Sequence, residues 1–211
     1  MNIEDVHVND LFDEARDGLI LLKVIHRIDE TAVDWKKVEK KPNNKFKMGI
    51  NCTEAINACK KMKLVTTGLG GTDILDKHKK NILAIVWQLV RAHYLKIIGS
   101  QTEADLVNWA NSLVTDFPVK NLKDKSLGDS KFIIHLCDKV SPGIVNWEFV
   151  TDGQTEEDRM NNAKYAISIA RKLGAIIFCV WEDIEKVNYK MILVFICSLY
   201  DIHRGYTTPA D

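Results

Sequence analysis

The chain has 211 residues, 46% of them apolar, and its 29 Lys and Arg balance 29 Asp and Glu. This composition excludes a disordered or low-complexity chain and gives length for two domains, each able to bury its own core. No apolar run approaches the roughly 20 residues that span a bilayer, MNIEDV lacks an apolar signal core, and five cysteines without CxxC spacing fit a reducing cytosol better than a disulfide framework.

Residues 10–30 read as one helix, with Leu11, Ala15, Leu19, Leu22 and Ile25 on one face. A loop through Asp34-Trp35 and a polar stretch, 36–47, follow. Helical spacing returns over 48–63, and glycines at 68, 70 and 71 interrupt it. Thr72-Asp73 can cap a short turn. Residues 77–98 form the longest predicted helix, closed by Gly99-Ser100. Thr102, with Asp105 at N3, caps the next helix. Further helices are expected near 103–115, 127–140, 156–173 and 188–203, with Gly174 closing the third and Pro209 in a frayed tail. Strand signals are scarce, so the fold class is all-α. Trp35 and Trp147 sit in long loops and are candidates to pin them to a core.

The elements repeat. Asp17-Gly18-Leu19-Ile20-Leu21-Leu22 falls on Asp129-Ser130-Lys131-Phe132-Ile133-Ile134 at an offset of 112, as Val33-Asp34-Trp35 does on Val145-Asn146-Trp147. Asn51 to Lys61 falls on Asn162 to Lys172 at 111, and Asp73, Lys80, Leu83, Leu89 and His93 on Asp183, Lys190, Leu193, Leu199 and His203 at 110. A period this long marks tandem globular domains rather than a solenoid. The expected boundaries are 1–99 and 102–206, with a tail at 207–211. Mapped back by 112, the segment Glu103 to Val114 starts at position −9, before Met1. The first copy is therefore expected to lack its opening helix, leaving a core face open, shifted or filled by something else.

The zero net charge hides an asymmetry. Residues 1–99 carry 17 Lys and Arg against 13 acids, residues 100–211 carry 12 against 16, and 12 Lys face four acids between 36 and 80. Such a local excess suits an acidic partner surface or a plain solvated lysine face. Catalytic and ligand motifs do not emerge. Gly68-Leu69-Gly70-Gly71 lacks the Lys-Ser/Thr ending of a phosphate loop, the six histidines form no metal-ligand spacing, and 152–158 lacks the alternating oxygens of a calcium loop. No enzyme and no cofactor are expected.

The helix at 77–98 is apolar on too many sides. Ile82, Ile85, Val86, Leu89 and His93 make one stripe, and Leu83, Trp87, Val90 and Tyr94 make another. One stripe serves the core. The second needs a neighbour: its own domain, the sister unit, or an external protein with Lys77, Lys79, Lys80 and Arg91 as a basic rim.

Asp17-Gly18-Leu19-Ile20-Leu21-Leu22, Val33-Asp34-Trp35 and Asn81-Ile82-Leu83-Ala84-Ile85-Val86-Trp87-Gln88-Leu89 resemble the calponin homology domain. Two in tandem look like an actin-binding domain, and the phrase from Arg159 to Gly174 is similar to the second, C-terminal pair of the fimbrin (plastin) family. The resemblance implies F-actin as partner, no nucleic acid, no membrane insertion, and a cytoplasmic site in actin bundles, with a second actin-binding pair elsewhere in a longer chain. It implies one binding segment over Lys77, Lys79, Lys80, Leu83, Trp87, Gln88, Arg91 and Tyr94. A second lies on the opening helix of the second unit, where Asn108, Asn111 and Ser112 are polar. A third family segment, on the opening helix of the first unit, has no counterpart here, and neither calcium regulation nor bundling by a monomer is implied. The alternative is an adaptor using the same fold to bind a signalling protein or microtubules.

Overall fold

The computed structural model describes residues 8–97 and 102–205, all helices and loops among these residues, divided into two compact units with the boundary between His93 and Tyr94. The first contains α1 (Leu11–Glu14), a 3-10 turn (Ala15–Asp17), α2 (Leu19–Ile28), α3 (Lys45–Lys61), α4 (Gly71–Leu75) and most of α5 (Lys79–Ile97). The second contains α6 (Glu103–Leu113), a 3-10 turn (Lys125–Asp129), α7 (Lys131–Val140), α8 (Glu156–Lys172), α9 (Trp181–Glu185) and α10 (Tyr189–His203). Gly99, Ser100, Pro209 and the tail lie outside the described residues.

The single helix expected over 10–30 is broken. Gly18 takes a left-handed conformation, φ 78°, between the 3-10 turn and α2, and Asp17 Oδ1 accepts from the Leu19 N–H. A Cβ at Gly18 would stand 2.8 Å from the backbone of Asn51 and Cys52. The break therefore lets α3 pass close to the start of α2, a tertiary demand that helical periodicity cannot reveal. The first core gathers Leu21, Leu22 and Ile25 of α2, Cys52, Ala55, Ile56 and Cys59 of α3, Ile74 of α4, and Ile85 and Leu89 of α5. Each large aliphatic side chain buried this way contributes about 1.5–3 kcal/mol.

α3 starts earlier than its spacing suggests, because Asn44 caps it by accepting from the Lys47 N–H. α5 begins two residues later than expected: Lys77 sits at φ 59° in the turn after α4. The short helix α4 is capped by Asp73, whose Oδ2 accepts from Gly70 N at 2.7 Å, so Gly70 rather than Thr72 is its N-cap. Thr102 and Asp105 form the expected capping box of α6, and Thr155 and Asp158 form another on α8. The short helix α9 was not foreseen, since five residues give no readable period.

Buried asparagines organise both units. Asn51 accepts from the Glu39 N–H at 2.8 Å and donates to the Glu39 carbonyl at 3.0 Å. Its repeat partner Asn162 does the same for Thr151 and also donates to Asp129 O at 3.1 Å. One fully buried side chain thus satisfies the backbone of an irregular loop that would otherwise be costly to bury.

The tryptophans divide. Trp35 packs against the first core with its ring edge-on to His26 at 5.4 Å. Trp147 does not pin its loop to a core: it is 44% exposed and lies beside His135 at 4.5 Å. All five cysteines are free and buried, and burial pushes the Cys52 and Cys137 thiols up to about 12 and the Cys59 and Cys179 thiols to about 11. Among the described residues no helix is long and apolar enough to cross a membrane.

Candidate functional site

α5 turns Ile85 and Leu89 into the first core, and Ile82, three residues before Ile85, is fully buried. Lys80, Leu83, Trp87, Arg91 and Tyr94, three or four residues apart, therefore share the opposite face. Lys79 and Lys80 are exposed at its start, and Lys79 Nζ stands 5.1 Å over the Phe12 ring of α1. Leu83 is 51% exposed, while Trp87, Gln88 and Arg91 are half-buried. Lys77 lies off this face and is ion-paired with Asp13. Tyr94 belongs to the second compact unit, where burial pushes its phenol pKa up and a hydrogen bond with Ser198 works against that shift.

The second unit shows what a covered version of this face looks like. Leu193, at the position of Leu83, is 1% exposed, and Cys197, at the position of Trp87, is fully buried. α6 packs along that helix: Trp109 meets the Tyr200 ring edge-on at 4.9 Å and His203 at 5.5 Å, and Tyr189 donates to Glu103. In the second unit, then, a helix of the same unit neighbours the extra apolar stripe, the first of the three options that the spacing leaves open. In the first unit the corresponding side chain, Leu83, remains open to solvent.

The α6 candidates separate. Asn108 is exposed. Asn111 is occupied, donating to Val119 O at 2.9 Å and accepting from Val119 N at 3.0 Å, so its amide holds the loop after α6. Ser112 is exposed and its hydroxyl donates back to Trp109 O at 2.6 Å. Sequence reasoning missed Phe46, exposed on α3 beside Lys45, because it falls in the stretch 36–47 read as a polar loop before the helix.

The calponin homology (CH) domain profile matches twice, over residues 1–95 and 100–205. The chain belongs to the calponin homology family. As a tandem CH pair it is 38% identical to Fimbrin-5 of Arabidopsis thaliana, an alignment covering 92% of this chain and 30% of that protein. It is 36% identical to Plastin-3 of Homo sapiens over 92% of this chain and 33% of that protein. Among solved structures it matches the actin-crosslinking core of Schizosaccharomyces pombe fimbrin, with 37% identity and a TM-score of 0.77, covering 91% of this chain and 43% of the other. The tandem CH pair thus spans about a third of the length of the curated fimbrins and plastins it matches.

Proposed function

We propose that this tandem CH pair is an F-actin binding module. In this reading it is the second, C-terminal pair of a fimbrin-type protein, one filament-binding half of a cross-linker, working without catalysis in cytoplasmic actin bundles. The observation that carries the proposal is the outward face of α5, where exposed Lys79 and Lys80 adjoin half-exposed Leu83 in a chain similar to an actin-crosslinking core. The basic end orients docking on an acidic filament surface. Exposed charges contribute only about 0–1 kcal/mol each, so Leu83 and Trp87 supply the buried area that holds the complex. Asn108 of α6 is a polar contact of the same kind, whereas the occupied amide of Asn111 and the paired ammonium of Lys77 make these two supporting groups.

Co-sedimentation with actin filaments tests the proposal. Lys79→Glu combined with Lys80→Glu is expected to weaken pelleting about tenfold with thermal stability unchanged, since both side chains are exposed. Binding by the unaltered chain should weaken as salt rises, because screening acts on exposed charges. Undiminished pelleting of the folded double variant would remove α5 from the filament surface. The adaptor alternative finds no support among the fimbrins and plastins matched, and pelleting with microtubules but not filaments would favour it.

A further inference from the structure

α3 and α8 are repeat partners over their whole length, Lys45–Lys61 on Glu156–Lys172, yet their first turns are opposites. α8 opens with Glu156, Glu157 and Asp158, the charge that a helix N-terminus favours, whereas α3 opens with Lys45, Phe46 and Lys47 and no acid. The inversion extends through the preceding loop. Residues 36–47 carry six Lys and one Glu, while their counterparts 148–158 carry five acids and no base. Two further choices on this part of α3 also work against the stability of the first unit. Phe46 is 79% exposed. Gly49 sits in the second turn, where glycine destabilises a helix. Neither its backbone nor its packing demands glycine: its φ is not positive, and outside its own helix a Cβ would meet only Leu75 Cδ2, at an ordinary 3.7 Å. α8 has Met160 at that position.

These choices meet at an open groove of about 720 Å³, lined by Phe46, Gly49, Ile50 and Leu75 together with Lys37 and Lys45. Local choices that cost stability and gather on one surface mark a functional site. Charge decides what the apolar lining receives. Lys45, Lys47 and Lys37 pair with Asp76, Glu39 and Asp34 at 3.2, 3.5 and 3.7 Å. Such exposed pairs contribute little and open to a competing carboxylate. Lys36, Lys40 and Lys41 are exposed and form no ion pair among the described residues. Glu54 is an acid at the far end of the lining, and the lysines of 36–47 outnumber it. From Lys45 to Glu54 the lining follows α3 for about 13 Å at 1.5 Å per residue. That length accommodates anchors at i, i+4 and i+7 of a helix lying in the groove.

We propose that this groove docks an amphipathic helix of another protein, with an aliphatic stripe flanked by carboxylates. The stripe packs on Phe46, Ile50 and Leu75 over the bare backbone of Gly49, and the carboxylates meet the lysines of 36–47. The groove lies on α3 and α4, apart from the α5 residues assigned to the filament, so the two partners have separate residues.

The test uses the 211-residue chain. The probe is a fluorescein-labelled peptide of leucine and glutamate with its leucines at helical spacing, titrated by fluorescence anisotropy. Gly49→Met, which gives the groove the residue of the second unit, is expected to weaken binding about tenfold with no lowering of the thermal melt. Lys40→Glu with Lys41→Glu is expected to weaken it about tenfold as well, while Lys139→Glu with Lys172→Glu, exposed on the second unit, leaves it unchanged. A peptide of the same composition with its leucines scattered around the helix should bind at least about tenfold more weakly. Gly49→Met should still pellet with actin filaments, so that failure of the groove and failure of the filament reading are told apart. Absence of peptide binding, equal binding of the scattered peptide, equal losses in the two lysine pairs, or loss of filament pelleting by folded Gly49→Met would overturn the proposal.

Discussion

Gly18 and Ser130 hold one backbone position in the two CH repeats, both left-handed, at φ 78° and 65°. At Gly18 the conformation is unstrained, and the missing Cβ admits the α3 backbone. At Ser130 the same conformation carries a side chain that is fully buried, with an Oγ that finds no partner among the described residues. The left-handed backbone costs about 1–2 kcal/mol outside glycine, and an unsatisfied buried hydroxyl about 1–3 kcal/mol. Glycine's extra unfolded-state entropy offsets about 0.5–1 kcal/mol of that. Ser130→Gly is thus expected to stabilise the second unit by about 1–4 kcal/mol. Gly18→Ala meets both the φ penalty and the backbone clash and should destabilise the first unit by about 2–4 kcal/mol. Urea unfolding of the two variants reads both signs, and a stabilised Gly18→Ala would contradict the close-approach account. The repeat was legible at these positions because it is written in the residues. The role of Asn51 and Asn162 as loop clamps was not, because their partners Glu39 and Thr151 lie outside any local pattern.

At the scale of elements, long helices with strong caps were readable and short or broken ones were not. Thr102 with Asp105 announces α6 in four residues, whereas α9 and the break at Gly18 arise from tertiary packing. The outward stripe of α5 was legible as surplus apolar spacing. What covers such a stripe was not, since α6 reaches α10 across most of the second unit. Trp109 anchors that contact on the Tyr200 ring. Trp109→Ala removes the aromatic pair and most of the bulk of a half-buried indole, for an expected loss of about 2–4 kcal/mol. Amide hydrogen exchange should then accelerate first in α6, with α7 and α8 still protected. Uniform acceleration across the unit would show that α6 is no separate layer.

For the molecule as a whole, stability should form a plateau bounded by two kinds of ionisation. Backbone N–H groups of Gly70, Thr102 and Lys120 hold Asp73, Asp105 and Asp124 below the ordinary carboxylate range, and the Thr155 side chain does so for Asp158. Their folded pKa values lie below the unfolded ones. This stabilisation is present above about pH 4 and is lost as pH falls through the folded values. The thiols act at the other end. Burial raises Cys52, Cys59, Cys137 and Cys179 from the ordinary 9.0 to about 11–12, so their contribution is complete below 9.0 and fades as pH rises from there through the folded values. Thermal melts across pH should therefore fall off below about 4 and above about 9. A thiol reagent at pH 8 should label these cysteines only on unfolding. Rapid labelling of the folded chain would contradict their burial.

The distances along the chain that the contacts bridge also set an order of assembly. Asn162 closes a loop to Thr151 only 11 residues away, while the bond from Tyr189 to Glu103 joins groups 86 residues apart. Closing the longer loop costs more chain entropy before any contact offsets it. The α7–α8 pair can thus form as a local kernel, with α6 settling over α10 afterwards and leaving before the kernel unravels. The surface that the departure of α6 would bare is the aromatic flank of α10 around Tyr200 and His203.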